Sequence, residues 1–458
     1  MSIIAAYAVP HPPLAVPEVG QGRERGLSTI ENFLKVATMI AEDKPETIVI
    51  ITPHGNVYSD YINVSPGAKA TGSLSKFGAN KKYKVDYDQE FVSRLEEVCK
   101  NEGFPGGTLG EEDPLLDHGV LVPLHFINQK YKEYKLIRVS SSGLSKIDHY
   151  QFGMYLKEVS ESLKRPTVIV ASGDLSHRLK EDGPYGFAPE GPVLDEKICD
   201  ALRTGDFEQL FAIDENLRKA GAECGLAGLM VMAGTLDSTA IEPKLLSYED
   251  RFGVGYAIAT FRPNGHDEGR DFLRTFIENS LKDAEVVRGS EDELVSLARQ
   301  SIEYYTKKKK VMRMPIDSPV ELYRQRAGAF VTIKKDGMLR GCIGTTEPTR
   351  LNLGEEIIHN AVSASAMDPR FPPIEISELP FITISVDVLL PPEDAIREDL
   401  NPKEYGVIVS KGKKRGLLLP DLAGVDTIEE QLKIACQKAG IDPCENYKIQ
   451  RFQVVRHT

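Results

Sequence analysis

Tryptophan is absent from the 458 residues, and no apolar run reaches the roughly 18 residues that a membrane-spanning helix requires, so no membrane segment is expected. An excess of basic charge is also missing. Lys and Arg number 56 against 68 Asp and Glu, a formal charge of -12 with a pI near 5.4. Proteins whose main work is on nucleic acid or anionic lipid need a positive field or a long basic stripe, so neither partner is expected. The one basic run, Lys307 to Lys310, closes a helical pattern and reads as a solvated helix terminus. The six cysteines (Cys99, Cys199, Cys224, Cys342, Cys436 and Cys444) show no CxxC spacing, and nothing at the start of the chain reads as a signal peptide. Reduced thiols in a cytoplasmic setting are therefore expected. Low-complexity tracts and repeats are lacking too.

The length exceeds one typical core and predicts two or three domains. Apolar strand patterns at Ile3 to Val9, Thr47 to Ile51, Lys135 to Val139 and Thr167 to Ala171 are interspersed with helical patterns near 88–101 and 149–164. Helices near 193–204 and 224–236 and strands near 241–248 and 254–262 follow. This alternation predicts a layered α/β domain, a central sheet flanked by helices, over residues 1–265. Arg262-Pro-Asn-Gly265 marks its end, and 266–286 reads as a linker. Residues 269–310 carry a helical pattern. Strands near 327–333, 382–388, 407–409, 416–419 and 448–455, with helices near 351–366 and 427–439, predict an α+β domain over 287–458.

The chemistry-bearing residues of the first domain stand at element ends. His11 in Val9-Pro-His-Pro-Pro13 and His54 in Ile51-Thr-Pro-His-Gly55 close two apolar strands and are expected at the carboxyl edge of the sheet, where open α/β folds place ligands. The prolines before them end sheet pairing and aim the imidazoles outward. Glu223, in Gly221-Ala-Glu-Cys-Gly225, is expected at the start of the 224–236 helix, where a carboxylate suits the dipole. Two histidines and one carboxylate form the facial triad of non-haem Fe(II) oxygen chemistry, so His11, His54 and Glu223 are the expected metal ligands. Cys224 is the alternative to Glu223; a thiolate there favours zinc or copper. His177, in Ser172-Gly-Asp-Leu-Ser-His-Arg178, is expected to act as acid or base, and His118, in a loop, to touch substrate or bound oxygen. His125 is read as packing, and His149, His266, His359 and His457 as ordinary surface or terminal residues.

On these stretches, together with Asp117-His-Gly-Val-Leu-Val-Pro123, residues 1 to about 263 resemble the LigB-type class III extradiol ring-cleavage dioxygenases and the related Memo-like proteins. The resemblance implies a metal held by His11, His54 and Glu223, with His177 as the acid/base residue and His118 as an accessory. It implies Fe(II), with zinc or copper as alternatives, and a catechol-like or other small aromatic substrate. Memo-like proteins carry a cysteine in the third ligand region, which Cys224 matches.

In the second domain Leu339-Arg-Gly-Cys-Ile-Gly-Thr345 combines a donor fork at Arg340 with a thiol at Cys342, a possible second site. The glycines there equally suit a bulge or close strand packing, and Cys342 equally suits a small buried apolar residue. With Ala366-Met-Asp-Pro-Arg-Phe-Pro-Pro373, Gly416-Leu-Leu-Leu-Pro420 and the Ala435 to Gly440 helix end, residues 287–458 resemble the AMMECR family, which implies a fold and a pocket around Arg340 and Cys342 without a reaction. The two halves together resemble the architecture called AmmeMemoRadiSam system protein A, which implies a companion radical S-adenosylmethionine protein. Three readings stay open: an extradiol-type dioxygenase, a metal-binding module that partners a radical enzyme, and metal-assisted hydrolysis.

Overall fold

The computed structural model describes residues 2–335, 338–422 and 424–458. Two compact units result, Met1–Ile277 and Glu278–Thr458, and the division falls within a helix, Phe272–Ser290. Residues 266–286, expected as a linker, hold the end of a strand, a 3-10 turn at Glu268–Arg270 and much of that helix.

In the first unit β1 (Ile3–Val9) and β2 (Thr47–Thr52) precede two small ribbons. These pair β3 (Ile62–Asn63) with β6 (Gly106–Gly107), and β4 (Lys69–Ser73) with β5 (Lys82–Asp86). Strands β7 (Lys135–Ser140), β8 (Thr167–Ser172), β9 (Thr239–Glu249) and β10 (Tyr256–His266) complete a six-stranded sheet of order β7-β2-β8-β1-β10-β9. The first four run parallel, and β10 and β9 are antiparallel additions.

Alternation along the parallel strands feeds two cores, which is why these strands read as unbroken apolar runs. Val49, Ile51, Ile137, Ile169 and Ala171 face the helices α3 (Gln89–Asn101), α5 (Lys146–Leu163), α6 (Glu190–Thr204) and α9 (Leu226–Thr235). Ile48, Ile50, Leu136, Val168 and Val170 face α2 (Ser28–Asp43) and α4 (His118–Ile127). Short helices α1 (Pro17–Gly20), α7 (Glu208–Phe211) and α8 (Glu215–Gly221) fill the connections. The expected layered α/β domain is what the chain forms.

Details differ from the sequence reading. His118 is the first residue of α4, with Asp117 in the N-cap position. His149 is buried in α5, its Nδ1–H donating to the Ser145 carbonyl and its Nε2 accepting from the Ser142 amide, so it is not a surface residue. His125 packs as expected, buried against the Tyr83 hydroxyl.

After α10 (Phe272–Ser290), the second unit places α11 (Glu293–Lys308), α12 (Val320–Arg324) and α13 (Leu353–Ala366) around a sheet of order β12-β11-β13-β18. Its strands are β11 (Ala329–Lys335), β12 (Met338–Gly344), β13 (Ile382–Leu389) and β18 (Val454–His457). A second sheet orders β14 (Glu393–Ala395), β17 (Lys448–Phe452), β15 (Gly406–Lys411) and β16 (Lys414–Leu418) and packs on α14 (Ile428–Ala439). The single strand expected over 448–455 is two strands, which pass from one sheet to the other at Gln453. His457 is bonded to Asp292, the N-cap of α11, at 2.5 Å, and so has the partner its sequence context did not suggest.

Candidate metal centre

Three adjacent parallel strands, β2, β8 and β1, end at one edge, and the residues that follow them converge there. His11 is buried, and its Nε2 lies 3.0 Å from His54 Nε2 and 3.6 Å from Cys224 Sγ. These three ligand atoms all lie within 4.8 Å of one another. His118, one turn-start away at the head of α4, stacks on His54 at 4.0 Å between ring centroids and meets His11 edge-on at 5.3 Å.

Glu223 is not turned to the imidazoles. Its carboxylate accepts from Arg218 Nε at 2.6 Å and from the Leu226 amide at 2.6 Å, which places it as an anchor for the first turn of α9. The preceding residue, Ala222, has a left-handed φ of 54°, and this turn swings the next two side chains apart. Cys224 is therefore the third residue of the cluster, the reverse of the order expected from sequence. The physical reason is Arg218 on α8, whose cation claims the carboxylate.

The donor set fits a metal ion. Imidazole nitrogen and thiolate sulfur are donors that zinc and copper accept, and the three ligand atoms are grouped closely enough that His11, His54 and Cys224 would hold such an ion. Electrostatics point the same way. Burial, then His54 and His177, pushes His11 well below the usual imidazole range, and burial lowers His54 and His177 as well. Burial, His54 and His11 push His118 down to about 3. Neutral imidazoles are the ligand form. Burial drives the Cys224 thiol well above its ordinary value, so a thiolate there requires a cation beside it.

Residues 5–259 match the family described as the catalytic LigB subunit of aromatic ring-opening dioxygenase. The chain belongs to the LigB family. Residues 295–457 form an AMMECR1 domain in the same chain. A protein of Clostridium acetobutylicum is 42% identical over 468 residues, covering 100% of this chain and 99% of its own. A Thermotoga maritima protein is 53% identical over 167 residues, covering 36% of this chain and 95% of its own. An uncharacterized protein of Pyrococcus horikoshii with a solved crystal structure is 36% identical, covering 36% of this chain and 88% of that one, with a TM-score of 0.33.

Within the LigB-type unit the structure adds residues the sequence reading passed over. Asp174, buried, accepts the His11 amide at 2.8 Å, donates its own amide to Cys224 Sγ at 3.3 Å, and places Oδ2 3.9 Å from His11 Nε2. Burial raises its carboxyl to about 6, against the His11 amide that lowers it. Asp174 stands three residues before His177, so strand-end position alone could have marked it. The His177 ring stacks on exposed Tyr185 at 5.0 Å, and its Nε2 is buried without a hydrogen-bond partner among the described residues. Phe77, also exposed, lies 5.5 Å from His118. Such an arrangement can hold a cation and offer two neutral imidazoles to a bound molecule.

In the AMMECR1 domain Arg340 is not free to meet a ligand. Its guanidinium grips Glu378 at 2.9 Å through two nitrogens and the Pro372 carbonyl at 2.8 Å, tying β12 to the 372–378 segment. Cys342 Sγ sits 3.2 Å from Thr332 Oγ1, and its amide donates to Asp368 at 2.9 Å. Arg340 and Cys342 thus take part in strand and loop packing.

Proposed function

We propose that the LigB-type unit is a metal-dependent enzyme whose ion is held by His11, His54 and Cys224, with zinc or copper favoured over Fe(II). The observation that carries this reading is the exchange of roles between Glu223 and Cys224: the carboxylate is bound to Arg218, and the thiol faces the two imidazoles. Thiolate and imidazole donors suit zinc and copper, whereas a carboxylate is the usual third donor of Fe(II) oxygenases. When bound, such an ion supplies Lewis-acid polarisation of a substrate or water oxygen. His177 Nε2, buried without a partner among the described residues, is the group placed to take or give a proton, and the neutral His118 ring offers a hydrogen bond to the bound molecule. Asp174 orients His11 through its backbone and steadies positive charge at the cluster.

The second reading is extradiol ring opening on Fe(II) with a catechol-like substrate, favoured by the family match alone. Metal analysis after purification from metal-replete medium decides between them. Zinc or copper that is lost in Cys224→Ser and kept in Glu223→Gln supports the first reading. Iron retained in Cys224→Ser and lost in Glu223→Gln, with oxygen uptake on a catechol panel, sinks it.

The fusion to an AMMECR1 domain supports a further part of this reading, that the chain works beside a radical S-adenosylmethionine protein. Co-purification of such a protein with the tagged full chain tests it; recovery of the chain alone counts against it.

A further inference from the structure

Pro123 stands inside α4, and it has no backbone N–H to give to the carbonyl four residues earlier, which is Gly119. That carbonyl takes a hydrogen bond from the buried Ser172 hydroxyl at the end of β8, at 2.5 Å. A serine hydroxyl has one proton, and a carbonyl oxygen only accepts, so the Ser172 proton is committed to Gly119. Toward its other neighbour Ser172 Oγ can only accept. That neighbour is His11 Nδ1, at 3.1 Å.

We infer that Ser172 is a positioning residue that fixes His11 as the Nδ1–H tautomer and so directs an unprotonated Nε2 at His54 and Cys224. The direction of the chain is set from outside the site, by a missing amide at Pro123, through Gly119 and Ser172, to the imidazole. Nδ1–H donated to a buried oxygen orients the ring and leaves Nε2 as the ligand atom, the arrangement that metal-bound histidines use. Without the Ser172 hydroxyl the ring loses its side-chain hydrogen bond on the Nδ1 edge and keeps only the Ser172 backbone carbonyl as a partner there, so the Nε2–H form, which presents a proton where a cation would sit, becomes more populated. The same hydroxyl also joins β8 to the turn of α4 that carries His118, so one serine sets the orientation of His11 and the approach of His118 together. The tautomer assignment stands on hydrogen bonds alone; only its consequence for metal affinity rests on the reading proposed above.

The test uses the full chain labelled with 15N-histidine, stripped with chelator, and examined by long-range 1H–15N correlation, His11 being assigned by its loss in His11→Gln. Wild type is expected to show His11 protonated at Nδ1 and bare at Nε2. Ser172→Ala is expected to shift His11 toward the Nε2–H form and to weaken zinc binding, measured by chelator competition, roughly 10- to 100-fold. Ser172→Thr, which keeps the hydroxyl, is expected to restore both. A merely structural serine would move the melting temperature and leave the tautomer unchanged. Wild-type His11 found as Nε2–H overturns the inference, and that measurement stands even if Ser172→Ala does not fold. An unchanged tautomer in folded Ser172→Ala overturns it as well. The expected tautomers in a chain that binds no zinc would uphold this inference while removing the proposed function.

Discussion

The α-carbon of Gly225 lies 2.2 Å from where a β-carbon on Gly173 would stand, so the loop leaving β8 and the start of α9 touch backbone to backbone. This contact carries the cluster. It sets Asp174 against Cys224, whose amide donates to the Asp174 carbonyl at 3.2 Å while the Asp174 amide donates to Sγ. A β-carbon on Gly173 would overlap the Gly225 backbone, and one on Gly225 would sit tightly, 3.1 Å from the Asp174 carbonyl, so glycine at 173 is what lets the segments close and the thiol reach His11.

Gly173→Ala is expected to force these segments apart, costing about 1–3 kcal/mol as overpacking does. Metal stoichiometry should fall with it, because Cys224 moves away from His11 by the same displacement. Thermal melting and metal content per chain check both effects; a variant that keeps its metal would show that the contact does not position the thiol.

Arg138 on β7 is fully buried and donates to Ser65, to the Leu115 and Asp113 carbonyls, and faces Asp117 at 3.7 Å. Asp117 in turn accepts from Thr52, whose hydroxyl also receives the His54 amide. Replacing Arg138 by Leu strands this network, and about 3–5 kcal/mol of stability should be lost, as when one partner of a buried pair is removed. Urea denaturation of the purified chain measures it.

Asp368 supplies a pH dependence to the second unit. The Arg370 guanidinium holds its carboxyl well below the usual range, assisted by the Cys342 amide and opposed by burial. A carboxyl depressed on folding stabilises the fold fully above its unfolded value, about 3.9, and that contribution begins to be lost as pH falls below about 4 and is gone only once pH has fallen through the depressed folded value. Melting curves of the wild type should therefore decline more steeply from pH 5 to pH 3 than those of Asp368→Asn. Parallel curves would remove Asp368 from the acid response.

Arg340→Lys keeps a cation beside Glu378 and loses the two-nitrogen grip and the contact to the Pro372 carbonyl. A loss of about 1–2 kcal/mol is expected in the AMMECR1 domain, in the range of charged hydrogen bonds. Metal content should not change. A drop in metal with no loss of stability would show that Arg340 acts on the site and not on the fold.

Much of the fold is legible in the sequence. The parallel strands announce themselves as apolar runs because both faces are covered, and the residues after β1, β2 and β8 must reach one edge because parallel neighbours end together. Helix α2 lies outside the elements expected from sequence, although Phe33, Val36, Ala37 and Ile40 mark its buried stripe at helical spacing. The one helical pattern expected over 269–310 is two helices, α10 and α11, and Asp292 caps the second of them.

The chain's sequence by itself determined a layered α/β unit with His11, His54 and His177 at one sheet edge, followed along the chain by an α+β unit, because periodicity and strand ends are local properties. Only the tertiary structure decided which of two adjacent residues, Glu223 or Cys224, meets the imidazoles. Neighbouring side chains differ in direction by one peptide's geometry, and here that direction was chosen by a left-handed Ala222, by Arg218 drawing the carboxylate away, and by Gly173, which lets the thiol approach.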